Sequence, residues 1–158
     1  MTDDQPADEP LGPTPGFLVW RLSMKWRVAV DRALAPLGLT HAQYALLASL
    51  FGMTRSGTSP TQRELADHAG LEALYVSKLA RTLESDGMIK RTRDAQDTRA
   101  VRLSLTGQGH ETTASAIAVV HELLDRLVAP LGGLEGAEAQ EFTRRLRRLL
   151  EVPLDMSV

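Results

Sequence analysis

Residues 71–87 read LEALYVSKLARTLESDG, and this stretch decides the fold. Val76, Leu79, Ala80 and Leu83 fall at i, i+3, i+4 and i+7, one apolar stripe of an α-helix. The opposite face carries Leu74, Lys78, Arg81 and Ser85, flanked by Tyr75, Ser77 and Thr82, and is almost free of acids until Glu84. A helix that packs along one side and offers cations and hydroxyls on the other suits the major groove of DNA. An ordinary amphipathic surface helix carries the same stripe, so the neighbouring segments decide between the two.

Upstream, Thr61 and Glu64 have capping-box spacing and open a short helix with Leu65, Ala66 and Ala69 inward. Gly70 breaks it, and the stretch quoted above follows at once. A short helix, a tight glycine turn and a longer helix with a basic outer face form a helix-turn-helix. Downstream, Gly87 ends the second helix of the pair. Ile89, Arg91 and Arg93 then alternate with Lys90 and Thr92, and Val101, Leu103 and Leu105 with Arg102 and Ser104, so both segments are period-2 strands. The polar run from Asp94 to Arg99 joins them as a hairpin tip, which makes the unit a winged helix. Between Met88 and Leu105 there are five basic residues and two acids, although the whole chain carries a formal charge of −2. Charge on a hairpin often only solvates an edge; behind a helix-turn-helix it reads as DNA contact.

Further out lie long helices. The first is expected over about Phe17–Ala35, with Val19, Leu22, Trp26, Val30, Ala33 and Leu37 on one face and Trp20, Met24, Arg27 and Asp31 on a second flank. Thr40 and Gln43 repeat the capping box and begin a second helix through Tyr44, Leu47, Ala48 and Phe51; residues 54–60 are a loop by composition. Thr106 caps a helix that runs to about Ala129, with Thr113, Ile117, Val120, Leu124 and Val128 as its stripe. Gly132, Gly133 and Gly136 are expected to make a flexible turn before a last helix with Phe142, Leu146, Leu149 and Leu150 inward. The expected fold is mainly α with a small β-hairpin wing: a winged helix-turn-helix at 39–105, flanked by dimerisation helices at 17–38 and 106–152. Residues 1–16, acidic and Pro-rich, form a disordered tail, and 153–158 a second short tail. The outer helices have more apolar surface than one subunit covers, so homodimerisation through them is the economical arrangement.

Composition removes several classes. The 158 residues are enough for one domain with a real core. Without cysteine there is no disulfide, thiolate metal site or cysteine redox sensor. No apolar run reaches the roughly 18 residues of a membrane span, and the N-terminus lacks the basic-then-apolar order of a secretory signal. A cytoplasmic protein without membrane contact is the default. His41, His68, His110 and His121 are not paired at metal-ligand spacing. No phosphate-binding glycine loop or nucleophile–base constellation stands out, so neither metal, cofactor nor enzymatic activity is expected.

The chain resembles the MarR-type transcriptional regulators over about residues 17–152. The resemblance rests on Leu39–Gln43 (LTHAQ), Thr61–Ala66 (TQRELA), the pattern L-x-x-D-G-M-I-K-R at Leu83–Arg91, D-x-R at Asp97–Arg99 and L-T-x-x-G at Leu105–Gly109. It implies an obligate dimer on a pseudo-palindromic operator of double-stranded DNA, and repression relieved by a small aromatic or anionic effector. It also implies that the wing arginine, here Arg99, enters the minor groove, where a narrow A·T tract concentrates negative potential. Asp97 can orient the Arg99 guanidinium through a bidentate pair. Arg93 adds charge to the same wing. Major-groove reading falls to Leu74, Tyr75, Ser77, Lys78 and Arg81, and Thr61 and Gln62 at a helix start suit phosphates. The reading helix departs from the pattern in starting at Leu71–Glu72 without a capping Ser, Thr, Asp or Asn. Trp20, Met24, Arg27, His41 and Tyr44 are the candidate effector residues: aromatic walls, an arginine for an anion, a histidine as donor. Two other readings stay open, a ligand-blind regulator or activator and a winged-helix protein-interaction module.

Overall fold

The computed structural model describes residues 12–154 apart from Thr58. The acidic residues expected to form a tail, and the last four residues of the chain, lie outside the described residues. Among the described residues, six helices and one hairpin follow in the order α1 (Pro15–Leu34), α2 (His41–Met53), α3 (Gln62–Ala69), α4 (Ala73–Ser85), β1 (Ile89–Arg93), β2 (Val101–Leu105), α5 (Gly107–Leu127) and α6 (Ala137–Leu150). Short 3₁₀ turns extend α1, α2 and α5.

The local signals act where they stand. Helix α1 begins two residues before the expected Phe17, because Thr14 accepts the Phe17 N–H at 3.3 Å and Pro15 occupies the first turn. Thr40 with Gln43, and Thr61 with Glu64, form complete capping boxes at the starts of α2 and α3. Helix α3 stops at Gly70, whose φ of 64° is left-handed, and the Leu71 N–H returns to the Ala66 carbonyl at 3.0 Å. That backbone corner lets α4 leave within three residues. Strands β1 and β2 pair antiparallel with Ile89 opposite Leu105 and Arg93 opposite Val101. Thr61 adds a bridge to Arg102 on the outer edge of β2, a pairing the alternation did not predict.

The core gathers around α2, which touches α1, α3, α4, α5 and β2. Of the Tyr44–Leu47–Ala48–Phe51 stripe the spacing picks out, only Leu47 is fully buried, joined by Leu46 and Leu50. A helix surrounded on several sides has no single inward face, so periodicity alone misplaces its centre. Val76, Ala80 and Leu83 of α4, Ile89 and Leu103 of the hairpin, and Ala116 and Val120 of α5 close the core.

The two ends of the chain differ from expectation. In α1 only Val30 and Leu34 are buried, and Trp20 in the preceding turns is 57% exposed. In α6 the buried residue is Ala139; Leu149 and Leu150, expected inward, are 64% and 86% exposed. Periodicity picks out the apolar residues of α6 but not what lies against them, since α6 packs chiefly on the turn before it. The glycine turn is tied rather than loose: Gly133 N–H donates to the Val128 carbonyl, Gly136 N–H to Gly133, and Leu134 N–H to Asp125 Oδ1 at 2.9 Å. Among the described residues, no helix is long and apolar enough to cross a membrane.

Candidate nucleic-acid interface

Helix α4 divides as its sequence predicts. Val76, Ala80 and Leu83 are buried, while Leu74 is 85% exposed and Tyr75, Lys78, Arg81 and Ser85 also face solvent. Ser77 is half-buried, and its Oγ accepts from Arg81 Nη2 at 3.1 Å, so Arg81 is held along the helix instead of waving free. Lys78 has no acidic partner among the described residues. Glu72 occupies the N-cap without a side-chain hydrogen bond, which leaves the first N–H groups of α4 uncapped by the protein.

Thr61 and Gln62 stand at the start of α3. The Thr61 Oγ1 accepts the Glu64 N–H at 3.2 Å, and Glu64 Oε2 accepts the Thr61 N–H at 2.7 Å. The Thr61 backbone N–H, followed by its hydroxyl, holds the Glu64 carboxyl below the usual carboxylate range. Gln62 is half-buried, and its Oε1 lacks a hydrogen-bond partner among the described residues.

The wing uses its charges unequally. Arg91 pairs with Glu84 of α4 at 3.2 Å, and Arg102 pairs with Asp94. Lys90, Arg93 and Arg99 remain exposed and without an acidic partner among the described residues. The expected guanidinium–carboxylate pair between Arg99 and Asp97 does not form. Asp97 Oδ1 instead accepts the backbone N–H of Arg99 at 3.0 Å, the local turn that an Asp two residues upstream favours. It shapes the tip and leaves the Arg99 side chain free.

Sequence reasoning passed over Asp94. Its carboxylate accepts the N–H groups of Gln96 and Asp97, each at 2.8 Å, and also the Arg102 Nε. The Asp97 N–H, then that of Gln96, then Arg102, hold its carboxyl down at about 2. The available signal was the spacing: an Asp at the start of a polar hairpin tip commonly accepts the amides two and three residues on.

The five candidate effector residues do not share one cleft. Arg27 and His41 open on a cleft of about 460 Å³ that also reaches Asp31, Leu71 and, on α4, Tyr75. Asp31 already engages both neighbours: its Oδ1 accepts the His41 N–H at 2.7 Å, and its Oδ2 lies 3.9 Å from Arg27 Nε. Trp20 and Met24 line a separate shallow face of α1 with Arg21 and Lys25. Tyr44 packs half-buried against the core, and that burial raises its phenol pKa. Among the described residues no three His, Cys, Asp or Glu side chains form a metal cluster.

Known proteins match this geometry. The MarR family model matches residues 39–101, the segment from the start of α2 to the wing. The chain is 40% identical over 110 residues to the uncharacterized HTH-type transcriptional regulator YdcH of Bacillus subtilis, covering 70% of this chain and 75% of that one. It is 31% identical to the HTH-type transcriptional repressor Rv2887 of Mycobacterium tuberculosis, over 94% of this chain and 96% of the relative. The crystal structure of a complex of S. aureus MepR with DNA superposes with a TM-score of 0.77 at 27% identity, covering 87% of this chain and 96% of that one. By sequence, by fold and by the exposed basic face of its second helix-turn-helix element, this chain belongs to the MarR family and is a winged-helix, DNA-binding transcriptional regulator.

Proposed function

We propose that the protein is a homodimeric repressor that binds a pseudo-palindromic operator in double-stranded DNA and leaves it when a small aromatic or anionic effector binds. One observation carries the DNA reading: Lys78 on α4 and Arg93 and Arg99 on the wing project from the winged-helix lobe without acidic partners among the described residues. Leu74, Tyr75, Ser77, Lys78 and Arg81 read the major groove, with Arg81 or Lys78 donating to guanine and Leu74 meeting a thymine methyl. Arg99 enters the minor groove, Arg93 adds a phosphate contact, Asp97 shapes the tip, and Thr61 and Gln62 meet the backbone at the start of α3. The repressor direction follows the M. tuberculosis relative, an HTH-type transcriptional repressor.

Dimerisation belongs to segments 17–38 and 106–152. An apolar groove of about 450 Å³ runs between Leu18, Leu22, Leu124, Phe142 and Leu146, and the exposed Leu149 and Leu150 continue its α6 side. A second copy covers such a surface by two-fold symmetry and places two reading helices about 10 bp apart. The effector cleft is the one shared by Arg27, His41 and Tyr75, because a ligand there touches the reading helix itself. Binding then favours dimers whose helices no longer match the half-sites. The Asp31 carboxylate beside Arg27 opposes an anion in that cleft, which favours the second reading, a ligand-blind regulator.

Titration of the protein against the DNA flanking its own coding region, at rising salt and with a panel of aromatic acids, tests the proposal. Affinity should fall steeply with salt as counterions are released, and one acid should dissociate the complex. Failure to bind any duplex at low salt would remove the DNA reading in favour of a protein-interaction module. Binding that no acid disturbs would leave the ligand-blind regulator.

A further inference from the structure

The tip of the wing is organised around a carboxylate that no nucleic acid needs to touch. Asp94 is the one buried charged residue among the described residues. One of its oxygens closes the tip by accepting the amides of Gln96 and Asp97, and its backbone N–H reaches the Ala100 carbonyl at 3.0 Å. Its other oxygen receives Arg102 Nε from β2. The same guanidinium donates through Nη1 to the Ser59 carbonyl at 2.6 Å, and Leu103 N–H donates to the Pro60 carbonyl at 2.9 Å. Ser59 and Pro60 lead directly into Thr61, which caps α3 and bridges to Arg102 through the backbone. The Asp94–Arg102 pair therefore fastens the tip that carries Arg99 to the segment that starts the helix-turn-helix, beside the backbone links of Leu103 and Thr61.

The physical need is plain. Each strand has five residues, and an isolated two-stranded hairpin of that size is marginally stable in water. A tip that swings independently must be ordered at the moment of binding, which weakens the complex; a tip already fixed avoids that loss.

We infer that Asp94 and Arg102 are positioning residues that set the wing tip relative to α3, so that Arg99 meets the duplex while the exposed face of α4 is seated. The inference rests on the DNA reading proposed above and adds regulation of posture to it: both residues act through Arg99. Asn at position 94 keeps an acceptor for the two amides but removes the charge that holds Arg102. Gln at position 102 removes the guanidinium that spans Asp94 and Ser59.

The test is a double-mutant cycle on the full chain, read by fluorescence anisotropy on operator DNA across a salt series. Wild type, Asp94→Asn, Arg99→Ala and the double variant are compared, with thermal denaturation of each. Asp94→Asn should lower affinity on the order of tenfold and flatten the salt dependence as Arg99→Ala does. Arg99→Ala should cost far less in the Asp94→Asn background than in wild type. Arg102→Gln should give the same coupling and serves if the Asn variant does not fold. Equal cost of Arg99→Ala in both backgrounds overturns the positioning role and leaves the DNA reading intact. No cost of Arg99→Ala in the wild-type chain overturns the wing reading and the positioning role together.

Discussion

A β-carbon on Gly109 would lie 1.8 Å from the carbonyl oxygen of Met88. The first turn of α5 therefore rests on the Gly87–Met88 corner at the end of α4. Thr106 fastens the junction, donating its hydroxyl to the Gly87 carbonyl at 2.6 Å and its N–H to the Met88 carbonyl at 3.0 Å. This contact joins the end of α4 to α5, the longest helix among the described residues, and it gives the D-G-M and L-T-x-x-G patterns one shared physical reason.

Gly109→Ala should destabilise the protein. Alanine normally favours a helix interior over glycine by about 1 kcal/mol. Here the added methyl meets backbone, and overpacking costs about 1–3 kcal/mol or more. The thermal midpoint should fall by about 2–4 °C per kcal/mol lost. A midpoint at or above that of wild type would show that the corner yields.

Lys78→Ala or Arg81→Ala should each cost about 1–3 kcal/mol of operator binding if the residue reads a base. Arg81 also loses its contact with Ser77, so Ser77→Ala should reproduce part of the Arg81 effect. The measurement is affinity on operator and on unrelated duplex of equal length. A loss of the same size on both sequences demotes the residue to a phosphate contact.

Arg99→Ala should weaken operator binding strongly and leave the melting temperature unchanged, because the side chain is exposed and has no acidic partner among the described residues. The slope of affinity against salt should fall by about one contact. Asp97→Ala should have a smaller effect, through the backbone of the tip alone.

Leu149→Glu with Leu150→Glu should leave the single chain folded, since both side chains are exposed in it. Sedimentation at about micromolar concentration should show a dimer for wild type and a shift toward monomer for the variant. A wild-type monomer under those conditions would end the model of two half-sites.

The Asp94 carboxyl sits at about 2 in the fold, against 3.8 for a free group. Its depressed value means that its contribution to stability is complete above about pH 4–5 and is lost as pH falls through about 2. Wild type and Asp94→Asn should therefore differ by a constant stability at neutral pH and converge as the solution is acidified from pH 4 toward 2. A difference that stays constant across that window would be incompatible with a charged Asp94.

What the sequence determined alone is what depends on neighbours along the chain. The capping boxes at Thr40 and Thr61, the stop at Gly70, the stripe of Val76, Ala80 and Leu83, and the two alternating strands need only residues within a few positions of one another, so hydrogen bonds and periodicity within one element fix them. The exposure of Lys78 and Arg81 on the α4 face was legible for the same reason.

Only the tertiary structure decided which partner each surface meets. Asp94 could be chosen over Asp97 as the anchor of the wing only once Arg102 and Ser59 had been brought beside it across the hairpin and a loop. Arg27 and His41 share a cleft with Tyr75, but Trp20 and Met24 do not, because the turns of α1 point to different neighbours. Leu149 and Leu150 form the apolar face that periodicity assigns them and yet lie open. Alternation and helical period measure the direction of a side chain from its own backbone; what stands opposite is settled by packing between segments distant in sequence.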